Sequence, residues 1–217
     1  MKLEILLPQL KQLMADADFT WAICGGYALD LFLNRDTRTH GDVDLCVFET
    51  DRENVIAYFA QRGWQIYEYC GQGKVRHIDV NRKSGAGRNL MCVLGAPEIV
   101  RFYPCDEAGL FYHEFFHGGM NTLNFIDILF NKGTVGDFSA EISSCTVHRK
   151  WENAVLQPGD VPFLAPEMVL LFKAANAEKE EYRLDFEQTY CCMNQEQKLW
   201  FTENLQRLYP GGHAWML

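Results

Sequence analysis

The sequence predicts an α/β protein, in which strands and helices alternate along the chain. Trp21–Cys24 form a short apolar run that Gly25-Gly26 interrupts, and apolar residues then recur at helical spacing between Tyr27 and Phe32. The segment 42–48 is apolar and partly β-branched, as strands are. A strand, a glycine turn, a helix and a second strand therefore follow one another, and this alternation is typical of α/β proteins.

The chain before the first strand predicts one amphipathic helix with a structural role. Apolar residues recur there at Leu10, Leu13, Met14 and Ala17. Pro8 is unfavourable inside a helix, because its ring removes a backbone donor and clashes with the preceding turn. We therefore expect the helix to begin near Pro8.

The middle of the chain predicts another helix and further strands. Residues 51–62 have helical apolar spacing and end at Gly63, and Trp64–Tyr69 has the character of a strand. Glycine or proline turns separate the strand-like segments that follow, which are Lys74–Asn81, Asn89–Leu94, Ile99–Tyr103 and Leu123–Phe130. These segments would extend the sheet.

The last third of the chain changes character. Residues 134–161 are mostly polar and rich in turns, with one short strand-like segment at Cys145–His148. We place the domain boundary there. The sequence thus predicts a first domain of residues 1–158 and a helical C-terminal region of residues 159–217.

Two helices are expected in that C-terminal region. Pro166 suits the first turn of a helix whose apolar body is Met168–Phe172, because proline at that position loses no helical hydrogen bond. A final helix is expected from about Gln195 to Leu208, ended by the prolyl-glycine sequence after it.

Charge and composition exclude several classes of function. The net charge of −9 argues against broad polynucleotide binding, which depends on Lys and Arg, and would instead attract a polycationic small molecule. No apolar run is long enough to span a bilayer, and the first residues lack a signal-peptide profile. Eight scattered cysteines without a CxxC pair indicate a reducing compartment. We expect a cytoplasmic protein without nucleic-acid or membrane partners.

Asp42 and Asp44 stand two residues apart on the second predicted strand. Because side chains alternate across a strand, both carboxylates point to one face, while Val43 and Leu45 point towards a core. Like charges so placed repel, so a cation is expected between them. Carboxylate oxygens favour a hard ion such as Mg²⁺, with nucleotide phosphates in its remaining positions.

The glycine pair, Gly25 and Gly26, would complement these acids. Glycine lets the backbone approach a ligand closely, and the N–H groups at the start of the following helix favour phosphate oxygens. A phosphate cradle and a metal-holding carboxylate pair would then make up one site. The alternative is an ordinary glycine turn beside a solvent-facing pair of acids.

Three segments, in order along the chain, carry a family resemblance. They are GGYALDLFLNRDTRTHGDVDL, FLAPEMVLLFKA at 163–174, and the closing YPGGHAW at 209–215. They are similar to the GG-x-A-x-D…R-x-T-R-x-H…D-x-D, LAPE-x-x-LL-x-K and PGHPW segments of the aminoglycoside and lincosamide nucleotidyltransferase-like proteins. That branch belongs to the superfamily of DNA polymerase β. The tail departs from the pattern by an extra glycine and by Ala214 in place of proline.

The resemblance implies both a fold and an activity. The fold is a nucleotidyltransferase-type mixed sheet flanked by helices, with a small helical C-terminal region. The activity is transfer of a nucleoside monophosphate from a nucleoside triphosphate, with ATP expected, to a hydroxyl of a small acceptor such as an aminoglycoside or lincosamide. Asp42 and Asp44 would hold Mg²⁺, and Gly25 and Gly26 would contact phosphates.

The superfamily adds a third carboxylate from a later strand, and two residues are candidates for it. Asp79 lies in VRHIDV, and Asp127 lies in LNFIDILF. We favour Asp127, because the family has this acid on an apolar strand upstream of the LAPE segment. A carboxylate in so apolar a strand would also be costly to bury without a charged partner. For either residue, the alternative is a solvent-facing position on a strand.

Basic side chains are candidates for contacts with the phosphates. The resemblance implies that Arg38 and Arg35 offset the charge of the phosphates. His40 would bond a phosphate or brace the polar connector of residues 34–41, between the glycine-led helix and the strand after it. Lys173 would reach the triphosphate or remain a solvated side chain. Surface salt bridging is the alternative for both arginines.

Two other functions stay open from sequence alone. His113–His117 match HExxH, which on a helix would bind zinc in a metallopeptidase. Gly118-Gly119 would end such a helix at once, so an aromatic-rich turn or strand lining the acceptor pocket is the alternative. A non-catalytic nucleotide-binding relative is the other possibility, although the intact Asp42 and Asp44 pair argues against it.

Overall fold

The computed structural model describes residues 1–79, 88–97, 99–116, 121–142 and 145–216. Its helices are α1 (Leu3–Leu13), α2 (Gly25–Leu33), α3 (Arg52–Gln61), α4 (Trp151–Ala154), α5 (Pro166–Ala174), α6 (Glu180–Tyr190) and α7 (Gln195–Leu208). Its first six strands are β1 (Trp21–Cys24), β2 (Asp44–Phe48), β3 (Gln65–Gly71), β4 (Lys74–His77), β5 (Leu90–Val93) and β6 (Val100–Pro104). The later strands are β7 (Leu110–Phe115), β8 (Phe125–Thr134), β9 (Asp137–Ile142), β10 (Cys145–Arg149), β11 (Val155–Leu156) and β12 (Phe163–Leu164).

Helices and strands alternate from α1 to β3 as the sequence predicts, and the strands β3 to β10 then follow one another with no helix between them in the described ranges. β1 pairs with β12 in parallel, whereas β11 pairs with β12 antiparallel, so the sheet is mixed. The predicted α/β class with a mixed sheet is therefore confirmed. No helix in the described ranges has both the length and the apolar character needed to cross a membrane.

The first compact unit consists of Met1–Trp21 and Asp36–Phe130. Its strands follow the order β2-β8-β5-β3-β4-β7-β6. The pairs from β8 to β6 are antiparallel, and their registers set opposite each other residues that lie far apart along the chain, for example Met91 and Asp127. α3 buries Val55 and Phe59, and Tyr58 donates a hydrogen bond to the carbonyl oxygen of Leu13 at 2.6 Å.

The start of α1 differs from the prediction. The helix begins at Leu3 and contains Pro8, instead of beginning near it. Proline inside a helix costs about 3 kcal/mol. Leu6 and Leu10 are both fully buried, and each such side chain contributes about 1.5–3 kcal/mol, so burial on one helical face offsets the lost hydrogen bond.

The second compact unit consists of Ala22–Arg35 and Asn131–Leu217. In it, Ile23 of β1 lies opposite Phe163 of β12, and the end of β8 pairs with β9, which pairs with β10. The predicted strand-like segment Cys145–His148 forms β10, whereas β9 was not predicted and lies in the stretch expected to be mostly turns. The division into regions 1–158 and 159–217 stays a prediction.

Alternating burial explains why β9 and β10 form despite their polar composition. Phe138, Ala140 and Ile142 are buried on one face, and Val147 is buried on the partner strand, while the intervening side chains are mostly polar. An apolar residue at every second position is the pattern of a half-buried strand. The content of polar residues hid this signal.

The helices of the second unit include one that was not predicted. α5 begins with Pro166, and its Glu167 forms a buried ion pair with Arg149 at 2.7 Å. α7 has the predicted bounds, with Asn194 as a capping residue. α6 was not one of the two helices predicted for residues 159–217, because the charged run at 176–183 is typical of an exposed segment. Its Phe186 is buried and stacks on a tryptophan of the tail, Trp215, with ring centroids 4.6 Å apart.

Candidate active site

Three carboxylates of the first unit come together, and we call Asp42, Asp44 and Asp127 the acidic triad. One oxygen atom from each lies within 4.8 Å of the others. Asp44 begins β2, so Asp42 lies just before the strand and not on it as expected. Asp42 is exposed, Asp44 is half-buried and Asp127 is buried. The exposed side of the triad is where a ligand would approach.

The backbone explains why Asp127 meets the other two acids. Its N–H donates a hydrogen bond to the carbonyl oxygen of Val43, which lies between Asp42 and Asp44, at 2.9 Å. On its other side, Asp127 pairs with Met91 of β5. Val43 is fully buried, which fixes this part of the chain against the core.

The electrostatics of the acidic triad call for a cation. Burial raises the pKa of Asp127 well above its usual range, and the charges of Asp44 and Asp42 raise that pKa further. A cation between the three groups would remove both penalties. Because all three donors are carboxylate oxygens, the site fits a hard divalent ion such as Mg²⁺.

Tyr69 is a member of this site that sequence reasoning missed. Its hydroxyl donates a hydrogen bond to Oδ1 of Asp127 at 2.7 Å. Burial and the nearby carboxylates raise the pKa of Tyr69, so the hydroxyl stays protonated and acts as a donor. The predicted strand 64–69 contained this residue, but only the register of β3 with β5 and of β5 with β8 brings it near Asp127.

An aromatic row extends from the acidic triad across the same face of the sheet. We use this name for Tyr69, His113 and Phe115, whose successive ring centroids are 5.5 and 5.2 Å apart. Phe115 is 45% exposed and also meets the ring of Phe125, at 5.6 Å. Because side chains alternate, Tyr112 lies on the opposite face of β7, and it is 43% exposed.

The HExxH segment does not have the local structure that a zinc peptidase needs. His113 and Glu114 lie on the strand β7, so their side chains point to opposite faces and not along one helical face. Burial lowers the pKa of His113. His117 lies outside the described residues. The geometry of residues 110–115 supports the alternative of an aromatic-rich strand.

The predicted glycine pair lies in the second unit, where Gly25 and Gly26 begin α2. Gly25 has a φ of +64°, in the left-handed region that favours glycine. The first N–H groups of a helix have no acceptor within it, so those of α2 can donate to a ligand. Their contact with phosphates stays a prediction.

The basic residues that were predicted to contact phosphates lie in different surroundings. His40 is buried, at 2% exposure, whereas Arg38 is partly exposed and donates a hydrogen bond to the carbonyl oxygen of Thr39. Arg35 belongs to the second unit and donates to the side chain of Gln188 at 3.2 Å. Asp79 is exposed and is not a member of the acidic triad. The phosphate roles of these basic residues stay predictions.

Lys173 is the predicted site residue with the best-defined partner. Its Nζ lies 2.9 Å from Oδ2 of Asp185, and both side chains are buried. The same Nζ lies 4.1 Å from the centre of the Tyr182 ring. Lys173 is therefore not a solvated side chain. A contact between Lys173 and a triphosphate stays a prediction.

Comparison with solved structures first indicates the type of fold. Among solved structures, the lincosamide antibiotic adenylyltransferase LnuA, bound to lincomycin, has a TM-score of 0.52 with this chain at 13% identity. The match covers 86% of this chain and 96% of LnuA. The fold is thus of the nucleotidyltransferase type.

Two further structures of one antibiotic-resistance factor, ANT(2'')-Ia, are also similar. A solution structure has a TM-score of 0.47 at 14% identity, covering 95% of this chain and 92% of the other. A crystal structure with adenylyl-2''-tobramycin has a TM-score of 0.45 at 14% identity, covering 93% of this chain and 96% of the other.

A match to a sequence family supports the same comparison. The sequence model of the family described as aminoglycoside-2''-adenylyltransferase matches residues 6–94, which include Asp42 and Asp44. A sequence search of curated proteins gives no significant match. Together with the fold, the family match confirms the predicted resemblance to the aminoglycoside and lincosamide nucleotidyltransferase-like family.

Proposed function

We propose that the protein is a Mg²⁺-dependent nucleotidyltransferase. It would transfer a nucleoside monophosphate, with ATP as the expected donor, to a hydroxyl of an aminoglycoside or lincosamide. The observation that carries the proposal is the convergence of Asp42, Asp44 and Asp127. The match of residues 6–94 to an aminoglycoside adenylyltransferase family supports it.

In this proposal, the acidic triad holds Mg²⁺, and bound Mg²⁺ would orient the triphosphate and offset the charge that develops on it. Asp127 accepts the proton of the attacking hydroxyl, because its carboxylate lies beside those of Asp42 and Asp44, where a nucleotide held by the metal would meet the acceptor. The acceptor oxygen forms a bond to the α-phosphorus, the bond to the β-phosphate breaks, and pyrophosphate leaves.

Other residues have predicted roles in binding. Gly25 and Gly26 would contact phosphates through backbone N–H groups, and Arg38 and Arg35 would offset phosphate charge. His40 would bond a phosphate or brace residues 34–41. For Lys173 to bind a phosphate, its ammonium group would have to leave Asp185. We also propose a cytoplasmic enzyme without nucleic-acid or membrane partners, in keeping with the net charge of −9.

The test is a screen for pyrophosphate release. The purified chain would be supplied with Mg²⁺, each of the four nucleoside triphosphates, and either lincomycin or tobramycin. We expect release with at least one pair, and none after chelation of the metal. Asp42→Asn should abolish release without changing the thermal unfolding midpoint, because Asp42 is exposed.

Two results would contradict the proposal. Turnover that persists in Asp42→Asn would show that the acidic triad is not the site. Nucleotide binding without pyrophosphate release on any acceptor would instead indicate the non-catalytic relative.

The aromatic row offers a surface for the acceptor. Phe115 exposes a ring on the triad's face of the sheet, whereas Tyr112 exposes a similar area on the other face. We expect Phe115→Ser to raise the KM of the acceptor about fivefold, since a ring contact contributes about 1 kcal/mol. Tyr112→Ser is the matched control and should leave that KM unchanged.

Steady-state kinetics with the best acceptor from the screen would measure both variants. The KM of the nucleotide should stay constant in each. Equal effects of the two substitutions on the acceptor KM would rule out a specific role for the aromatic row.

A further inference from the structure

Neighbouring segments hold the backbone of Asp127 in place, but they do not fix the orientation of its carboxylate. Val43 and Met91 fix the backbone from either side. The side chain keeps two rotatable bonds, and rotation about them would turn its oxygens away from Asp42 and Asp44. A group that binds one of these oxygens would therefore decide how the acidic triad is shaped.

The hydroxyl of Tyr69 is placed to do this. It donates to Oδ1 of Asp127 at 2.7 Å, a short distance typical of a hydrogen bond to a carboxylate. A hydrogen bond occupies one lone pair and leaves the others for a cation. The ring of Tyr69 is itself held against His113, edge to face, so the hydroxyl is presented from a supported side chain.

The alignment of strands shows that this contact is built into the sheet. Tyr67 lies opposite Met91, and Met91 lies opposite Asp127. Tyr69 is two residues from Tyr67, so it lies on the same face as Asp127 but two strands away, with β5 between them. The long tyrosine side chain spans this distance, as its hydrogen bond to Asp127 shows.

We propose that Tyr69 is a positioning residue that orients the Asp127 carboxylate for metal binding by the acidic triad. The inference rests on the proposed function of the triad. Partners that hydrogen-bond a metal ligand typically change metal affinity about 10–100-fold when they are removed. Loss of the Tyr69 hydroxyl should therefore weaken the metal site even though Tyr69 does not touch the ion.

Tyr67 provides a matched control on the same strand and face. Its hydroxyl donates to Gln65 at 3.2 Å and not to the acidic triad, and its ring stacks on Phe102 with centroids 4.4 Å apart. Tyr69→Phe and Tyr67→Phe each remove one hydroxyl and keep the ring. A general effect of losing a tyrosine hydroxyl from β3 would thus be seen in both variants.

The first measurement is metal binding without turnover. Electron paramagnetic resonance would follow the binding of Mn²⁺, used in place of Mg²⁺, to the full chain and to each variant. We expect Tyr69→Phe to bind Mn²⁺ about tenfold more weakly and Tyr67→Phe to bind it as the unchanged protein does. Thermal unfolding midpoints should show that both variants are folded.

A double-mutant cycle shows whether Tyr69 acts through Asp127. In an Asp127→Ala background, where Asp42 and Asp44 remain, Tyr69→Phe should cause no further loss of Mn²⁺ affinity. A persistent tenfold loss in that background would show a structural role instead, and would overturn the inference.

Different results would contradict the proposed function and the role of Tyr69. If the unchanged protein binds no Mn²⁺, the proposed function of the acidic triad fails and this inference fails with it. If the unchanged protein binds Mn²⁺ and Tyr69→Phe binds it equally well, only the inference fails.

Discussion

Asp127→Asn is expected to lower the rate of pyrophosphate release by about 10²–10⁴-fold, the range associated with losing a general base. The substitution keeps the shape of the side chain and an oxygen that can accept the hydrogen bond from Tyr69. It removes the negative charge and the ability to take a proton. The effect should appear in kcat, because in the proposed reaction Asp127 acts on the attacking hydroxyl and its buried side chain offers little surface for binding the acceptor.

Asp79→Asn is the matched control, since sequence alone left both residues as the third carboxylate. Asp79 is exposed and lies outside the acidic triad, so its substitution should leave kcat within about twofold. Pyrophosphate release under saturating nucleotide and acceptor would measure both variants. A large loss in Asp79→Asn with normal turnover in Asp127→Asn would reverse the assignment.

Lys173→Met is expected to lower the free energy of unfolding by about 3–5 kcal/mol, the cost of removing one partner of a buried ion pair. Lys173 and Asp185 are 9% and 3% exposed, so the carboxylate of Asp185 would lose its cationic partner in a poorly solvated position. The ammonium also contacts the ring of Tyr182, and methionine would keep only the apolar part of that packing.

Replacing both partners separates the ion pair from the packing. Lys173→Met combined with Asp185→Leu should recover most of the lost stability, because two apolar side chains leave no buried charge behind. Urea denaturation of the unchanged protein and of both variants would measure the differences. If Lys173→Met were as stable as the unchanged protein and raised only the nucleotide KM, the predicted triphosphate contact would be favoured over a structural role.

Local signals in the sequence were sufficient for much of the site. The spacing of Asp42 and Asp44 anticipated two carboxylates on one side, and the apolar surroundings of Asp127 singled it out from Asp79. The first inference needs only the alternation of side chains along a strand, and the second also uses the family resemblance, in which this acid lies on an apolar strand. They do not need knowledge of which strands are neighbours.

Tyr69 could not be found in that way. It stands far from Asp127 in the sequence, and their contact depends on the pairing of β3 with β5 and of β5 with β8. A shift of either register by one residue would turn Tyr69 or Asp127 to the other face. Neither register can be read from the composition of a single strand.

The errors in the fold have a similar cause. Pro8 and the polar residues around β9 are unfavourable signals when judged locally, and so is the charged start of α6. In each case, a few buried side chains outweigh local preference: Leu6 and Leu10 in α1, Phe138 in β9, and Phe186 in α6. Tertiary burial of this kind overrides propensity, and a single sequence shows little of it.

The parallel pairing of Ile23 with Phe163 has a consequence for synthesis of the chain. The two residues are separated by most of the polypeptide, and closing so large a loop costs entropy before any contact repays it. A ribosome will have released β1 long before β12 emerges. We therefore expect the pairing of β1 with β12 to form late, while the strands from β2 to β8 can assemble earlier on the nascent chain.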